Sequence, residues 1–237
     1  PVDIVLLMVK LYDVASAAEQ ISPMLKAGTG VVALQNGVEA PNILADVIGR
    51  EHVMGGSIYI PAKIGEPGVI IHGGGFAQAI FGELDGSRSD RAQALLNAFQ
   101  NVGVDAEITE DVESTLWTKF VVLSAVSATT AVTRGPIGPV MKDPDMRAMF
   151  IAAMRETEAV GRVKGVRLDE DIFDTQLAQA EDFPPEVKSS LLQDLEAGKR
   201  LEVEFLSGTV SRLGAELGVP TPVHSTIYAA LKPFVDG

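Results

Sequence analysis

Between Ser114 and Thr133 the chain carries a single charge in 20 residues, the ammonium of Lys119. An isolated cation on an otherwise uncharged helix is costly to bury unless it finds a partner or snorkels. Desolvation would lower its pKa, which suits acid–base chemistry. The alternative is a lysine whose stem lies on the core and whose head reaches water. Gln35-Asn36-Gly37 closes a short apolar run, where an amide could meet a ligand or, as Asn-Gly, make a turn. Ser190 is a hydroxyl near a helix start and equally an N-cap. Glu202 and Glu204 fall in the first turn of a predicted helix, where they suit its dipole or are solvated. Lys10 follows the first apolar run as a loop cation. His52, His72 and His224 are far apart in the sequence and there is no cysteine. No thiol nucleophile, disulfide or metal site is therefore expected.

The elements that must position these residues change character along the chain. Ile4 to Val9, Val31 to Leu34, Val53 to Ile60, Val69 to His72, Gln78 to Phe81 and Asp105 to Ile108 read as strands. Helical patterns cover 13–26, 38–48 and 88–101, and Gly49 suits a C-terminal cap. Strand, helix and strand with short connections imply parallel βαβ units. From there on the chain reads as helix: 112–133, 144–164, 170–181, 186–197, 201–217 and 223–234. Gly135-Pro136, Lys164-Gly165, Pro184-Pro185 and Gly198 punctuate them. The period changes near Glu110, which divides the chain into an α/β domain, 1–110, and an all-helical domain, 111–237. Ligands of an open α/β sheet sit outside the carboxyl ends of its strands, and a second domain packed there would make a cleft.

Composition limits the functions available. The 237 residues carry a net charge of −13, and both halves are acidic. A nucleic-acid footprint or an anionic membrane surface needs a basic face, so neither partner is expected. The apolar window from Ser114 to Thr133 holds several hydroxyls and suits a buried helix better than a membrane span. Pro1-Val2-Asp3 shows no basic region or cleavage pattern, which leaves a cytoplasmic location as the expectation. Gly28-Thr29-Gly30-Val31-Val32-Ala33 spells G-x-G-x-x-A, but it follows a helix and runs into a strand, the reverse of a dinucleotide fingerprint. Gly73-Gly74-Gly75 reads as a hairpin or bulge. Either the sheet binds no dinucleotide, or its first βαβ unit lies upstream.

Taken together, several segments resemble the ketopantoate reductase (2-dehydropantoate 2-reductase) family. They are Val2-Asp3-Ile4-Val5-Leu6-Leu7-Met8-Val9-Lys10, Leu34-Gln35-Asn36-Gly37, Leu116-Trp117-Thr118-Lys119, Ser189-Ser190-Leu191-Leu192-Gln193-Asp194, Glu202-Val203-Glu204 with Gly208, and the closing Gly-Val-Pro-Thr-Pro. The resemblance implies part of a Rossmann-type parallel sheet followed by a helical substrate and dimerisation domain, and a homodimer is one expected assembly. It also implies reduction of a 2-oxo acid by NADPH, with Lys119 protonating the developing alkoxide. Asn36 would orient substrate beside the nicotinamide. Ser190 would bind the acid end of the substrate, and Ser127 would also face it. Lys10 and Glu202 would sit at the cofactor, Glu202 also supporting the charge of Lys119. Family chains start about one βαβ unit earlier, with the glycine loop. The 237 residues alone are therefore expected to bind NADPH weakly and to be inactive.

Family members often carry asparagines one and two turns after the lysine, and a third further on. Here those positions are Leu123, Ser127 and Ile137. Losing amides removes hydrogen bonds to substrate hydroxyls, so a more apolar 2-oxo acid than ketopantoate is expected. Two other readings stay open: a related hydroxyacid dehydrogenase, and a non-catalytic module acting in dimerisation or partner binding.

Overall fold

The computed structural model describes residues 1–74 and 77–237. It divides into two compact units, Pro1–Leu116 and Trp117–Gly237. The division falls six residues past Glu110, inside a long helix.

The first unit is built on β1 (Ile4–Leu7), α1 (Val14–Ile21), β2 (Gly30–Ala33), α2 (Ala40–Ile48) and β3 (Val53–Tyr59). β1, β2 and β3 run parallel, with Leu7 beside Ala33 and Ala33 beside Gly55. Their apolar runs are continuous because strands of this kind are covered on both faces, and every residue of β2 is buried. β4 (Ala62–Ile64) and β5 (Ile70–His72) form a separate antiparallel hairpin. β6 (Gln78–Glu83), α3 (Asp90–Asn101) and β7 (Asp105–Ile108) complete the order β1-β2-β3-β6-β7. Val32, Leu34, Met54, Phe81 and Leu95 pack between the sheet and α3. Gly55 permits a close approach on the other face, where an added Cβ would collide with Val112 Cγ1.

Two features depart from the sequence reading. β6 is antiparallel to β3, because the connection from β3 holds a hairpin instead of a crossover helix. β4 has three residues, too short for a period. The triple-glycine reading extends onto Gly75, outside the described residues, while Gly73 N–H donates to Pro61 O at the base of the hairpin. Gly28 has φ +88 and turns the chain into β2. The two glycines of the G-x-G-x-x-A letters therefore lie at the amino end of β2, away from the edge where nucleotides bind, and the remaining letters are the strand itself.

The second unit is helical: α4 (Val112–Thr133, beginning in the first unit), α5 (Ile137–Lys142), α6 (Pro144–Lys164), α7 (Ile172–Glu181), α8 (Ser190–Glu196), α9 (Ser207–Leu217) and α10 (Pro222–Leu231). α4 is long and apolar enough to cross a membrane, yet 72% of its most apolar window is buried within the protein. It is a core helix. Trp117 meets Phe120 edge-on at 5.6 Å between centroids. Gly161 of α6 lets Trp117 close on the backbone, since an added Cβ would lie 2.8 Å from its Cε3.

α5 escapes a pattern search because six residues with a proline inside show no period. Residues 186–189 are not helical. Pro184 instead sets a turn closed by Val187 N–H to Pro184 O at 3.0 Å, and the cap is Ser189. Residues 201–206 are not part of α9 either. A short 3-10 turn, Val203–Phe205, precedes it. Glu202 thus stands before the helix, not in its first turn.

Candidate active site

In the first unit the carboxyl ends of β1 and β2 lie side by side. Lys10 and Asn36 each follow three residues after a paired position, Leu7 and Ala33. Both are half-buried. Gly37 has φ +91, a conformation that turns the chain sharply after Asn36. The edge therefore offers a cation and an amide on adjacent loops at the place where α/β sheets bind ligands.

The same edge has more polar capacity than the fold consumes. Gln35 Oε1 is buried with no hydrogen-bond partner among the described residues, and Ser57, on β3, is buried as well. The Lys10 ammonium and the Asn36 amide, as hydrogen-bond donors, fit a polar, anionic group such as a nicotinamide dinucleotide.

In the second unit, Lys119 lies half-buried on α4. Burial pushes its pKa down from 10.5 to about 8. At neutral pH it is still largely an ammonium, but a readily released one. Helical geometry puts Leu123, Ser127 and Thr130 on the Lys119 face, one, two and three turns along. Leu123 is half-buried, and Ser127 is only 1% exposed. Ile137, at the start of α5, is a core residue that donates its N–H to Val187 O at 2.9 Å.

Thr130 ties this face to α8. Its hydroxyl donates to Val126 O at 2.6 Å, so the 2.7 Å contact with Ser189 Oγ has Ser189 as donor. Ser189 Oγ in turn accepts Leu192 N–H at 3.1 Å, as an N-cap. The capping role weighed for Ser190 thus belongs to its neighbour, and Ser190 is exposed. Ser189→Ala is expected to cost about 1–2 kcal/mol, since it removes a cap and leaves Thr130 without a donor. Urea denaturation measures this; an unchanged midpoint would show the cap to be idle.

Glu202 is buried, at 7% exposure, where the sequence allowed a solvated carboxylate. Its carbonyl accepts Phe205 N–H at 3.0 Å, which fixes the turn. Glu204 is exposed and accepts the Tyr228 hydroxyl. Sequence reasoning passed over Ser189, Ser57 and the amide of Gln35. The first is visible as one of two serines at a helix start, whereas the others are revealed only by burial. Among the described residues no group of His, Asp and Glu could hold a metal ion.

Residues 1–86 match the family model for ketopantoate reductase PanE/ApbA, and residues 111–235 match the model for its C-terminal part. A 2-dehydropantoate 2-reductase of Archaeoglobus fulgidus is 32% identical over 237 residues, covering 99% of this chain and 77% of its own. The crystal structure of a PanE/ApbA family ketopantoate reductase from Ralstonia eutropha superposes with a TM-score of 0.88 at 31% identity, over 98% of this chain and 75% of that one. A 2-dehydropantoate 2-reductase structure from Geobacter metallireducens gives 0.90 at 27%, over 98% and 77%.

Proposed function

The chain belongs to the ketopantoate reductase family, and we propose that it reduces a 2-oxo acid to the 2-hydroxy acid with NADPH, using Lys119 as the general acid. As a member of that family it is an oxidoreductase of the 2-dehydropantoate 2-reductase or related hydroxyacid dehydrogenase type. The observation that carries the proposal is the ammonium of Lys119, half-buried on an otherwise apolar helix with its pKa lowered by desolvation to about 8. A group of that acidity is protonated at pH 7 and gives up its proton without a large free-energy penalty.

When bound, the reduced nicotinamide supplies the hydride that goes to the ketone carbon. Lys119 Nζ donates a proton to the ketone oxygen as negative charge develops there, and the product leaves as the 2-hydroxy acid. The amine regains a proton from solvent before the next turnover. Lys10 and Asn36 hold the cofactor side, Lys10 as a cation for phosphate and Asn36 as an amide orienting the substrate carbonyl. Ser190, exposed at the start of α8, offers its hydroxyl to the substrate carboxylate. Ser127 lines the same helix face, and Glu202 supplies a carboxylate to the site. A cytoplasmic location goes with this reading.

Leu123 favours substrates more apolar than ketopantoate. It stands one turn from Lys119 and is partly open. It can pack an alkyl group but cannot bond a hydroxyl. The test is NADPH oxidation by the full-length protein across a panel of 2-oxo acids. Alkyl-substituted acids should exceed hydroxylated ones by roughly 10-fold or more in kcat/KM. A preference for ketopantoate would overturn the substrate class. Absence of turnover with every 2-oxo acid would overturn the activity itself.

A further inference from the structure

Leu7 O, the last paired carbonyl of β1, accepts two donors: Leu34 N–H at 3.2 Å and Gln35 Nε2 at 2.9 Å. Strand pairing ends at Leu7 and Ala33. Beyond it the continuation of β1 turns outward, with Met8 54% exposed. A side-chain amide, in place of a further ladder bond, therefore closes the join where the two chains part.

Gln35 is 8% exposed, and its Oε1 has no partner among the described residues. A buried acceptor with no donor carries a desolvation cost that a methionine of similar size would avoid. Stability alone does not account for a glutamine here. Local rules broken at the ligand edge of a sheet point to function.

We infer that Gln35 is a positioning residue: it clamps the end of β2 to the last carbonyl of β1 and thereby sets where Asn36 stands. Gln35 itself touches neither substrate nor cofactor. Its amide is spent on Leu7, one residue before the amide that does the orienting. The inference rests on the reading of this edge as the cofactor side and assigns the residue that shapes it.

The test uses Gln35→Met in the full-length protein, with Gln35→Leu as a second, shorter replacement. Thermal unfolding, the Kd for NADPH and kcat/KM are measured together. The expected result is a Tm equal to or above the parent's, with Kd raised and kcat/KM lowered by roughly 10-fold or more. In an Asn36→Ala background the same substitution should bring little further loss, because its effect passes through Asn36. Unchanged Kd and kcat/KM, losses that add fully to those of Asn36→Ala, or a fall in Tm large enough to explain the lost activity would each overturn it. Should the parent protein reduce no 2-oxo acid, the reductase reading fails. The NADPH Kd of the Gln35 variants then decides the clamp by itself.

Discussion

Replacing Lys119 by methionine in the full-length protein is expected to lower kcat by about 10²–10⁴-fold while making the protein more stable. The two effects share one cause. Burial lowers the lysine from 10.5 to about 8, so below pH 8 the folded state holds a charge it would prefer to lose. The unfolded chain keeps that charge in water. The fall from 10.5 to about 8 corresponds to at most about 3 kcal/mol, less what partial exposure returns. Methionine retains much of the stem without the charge and should recover part of it as a higher Tm. The sign follows from proton binding. Between pH 8 and 10.5 the unfolded chain binds more protons than the folded one, so parental stability should rise with pH across that window. The methionine variant should show no such rise. Reduction by the parent should fall as pH climbs through about 8, where the acid deprotonates. Normal turnover in the variant would remove Lys119 from the chemistry. A lower Tm would show that the contacts of the lysine contribute more to stability than the burial of its charge costs.

Mild acid should destabilise the protein by about 3 kcal/mol between pH 6.5 and 4, through His224. His224 is fully buried on α10, and burial lowers its pKa from 6.5 to about 4. Nε2 lies 3.1 Å from Ala153 O and 3.0 Å from Thr157 Oγ1, and Nδ1 lies 3.2 Å from Ser207 Oγ. A carbonyl only accepts, so the proton belongs on Nε2 and Nδ1 accepts from Ser207. Ser124 of α4 extends the chain, 2.8 Å from Thr157. Glu156 of α6 accepts the backbone N–H groups of Val223 and His224 at 2.7 and 2.9 Å, closing the start of α10. Above pH 6.5 both states hold a neutral ring and nothing is lost. As pH falls toward 4 the unfolded chain takes up a proton that the fold refuses, at about 1.4 kcal/mol per unit. Urea denaturation at pH 7.5, 6 and 5 reads this, with His224→Gln as the control. The idea is sunk if the variant keeps the parental slope between pH 6.5 and 5, above the range where most carboxylates titrate.

How much of this is legible without coordinates depends on the range of the interaction. The helices 112–133 and 144–164 and the strand 105–108 are read to the residue. Their signals are local: an apolar stretch, Asp143 as N-cap, Gly165 with φ +93 at the end. α5, β4 and the true start of α8 are not read. Six or three residues carry no period, and a turn that competes with a helix is decided by what it packs on. The candidate site divides in the same way. Lys119 stands out because charge on an apolar helix is costly whatever the fold. Ser189 and Ser190 cannot be ranked until one of them meets Thr130, 59 residues away.

Residue order by itself determined an α/β half followed by a helical half, the family, and a lone cation on an apolar helix, because periodicity and solvation cost act within a few residues. Tertiary structure alone decided that β6 reverses, that Glu202 is buried, that His224 is sealed among groups up to 71 positions distant, and that the Gln35 amide bridges two strands. Burial and hydrogen-bond partnership arise only when remote segments exclude water from one another, and no local pattern encodes which segments those are.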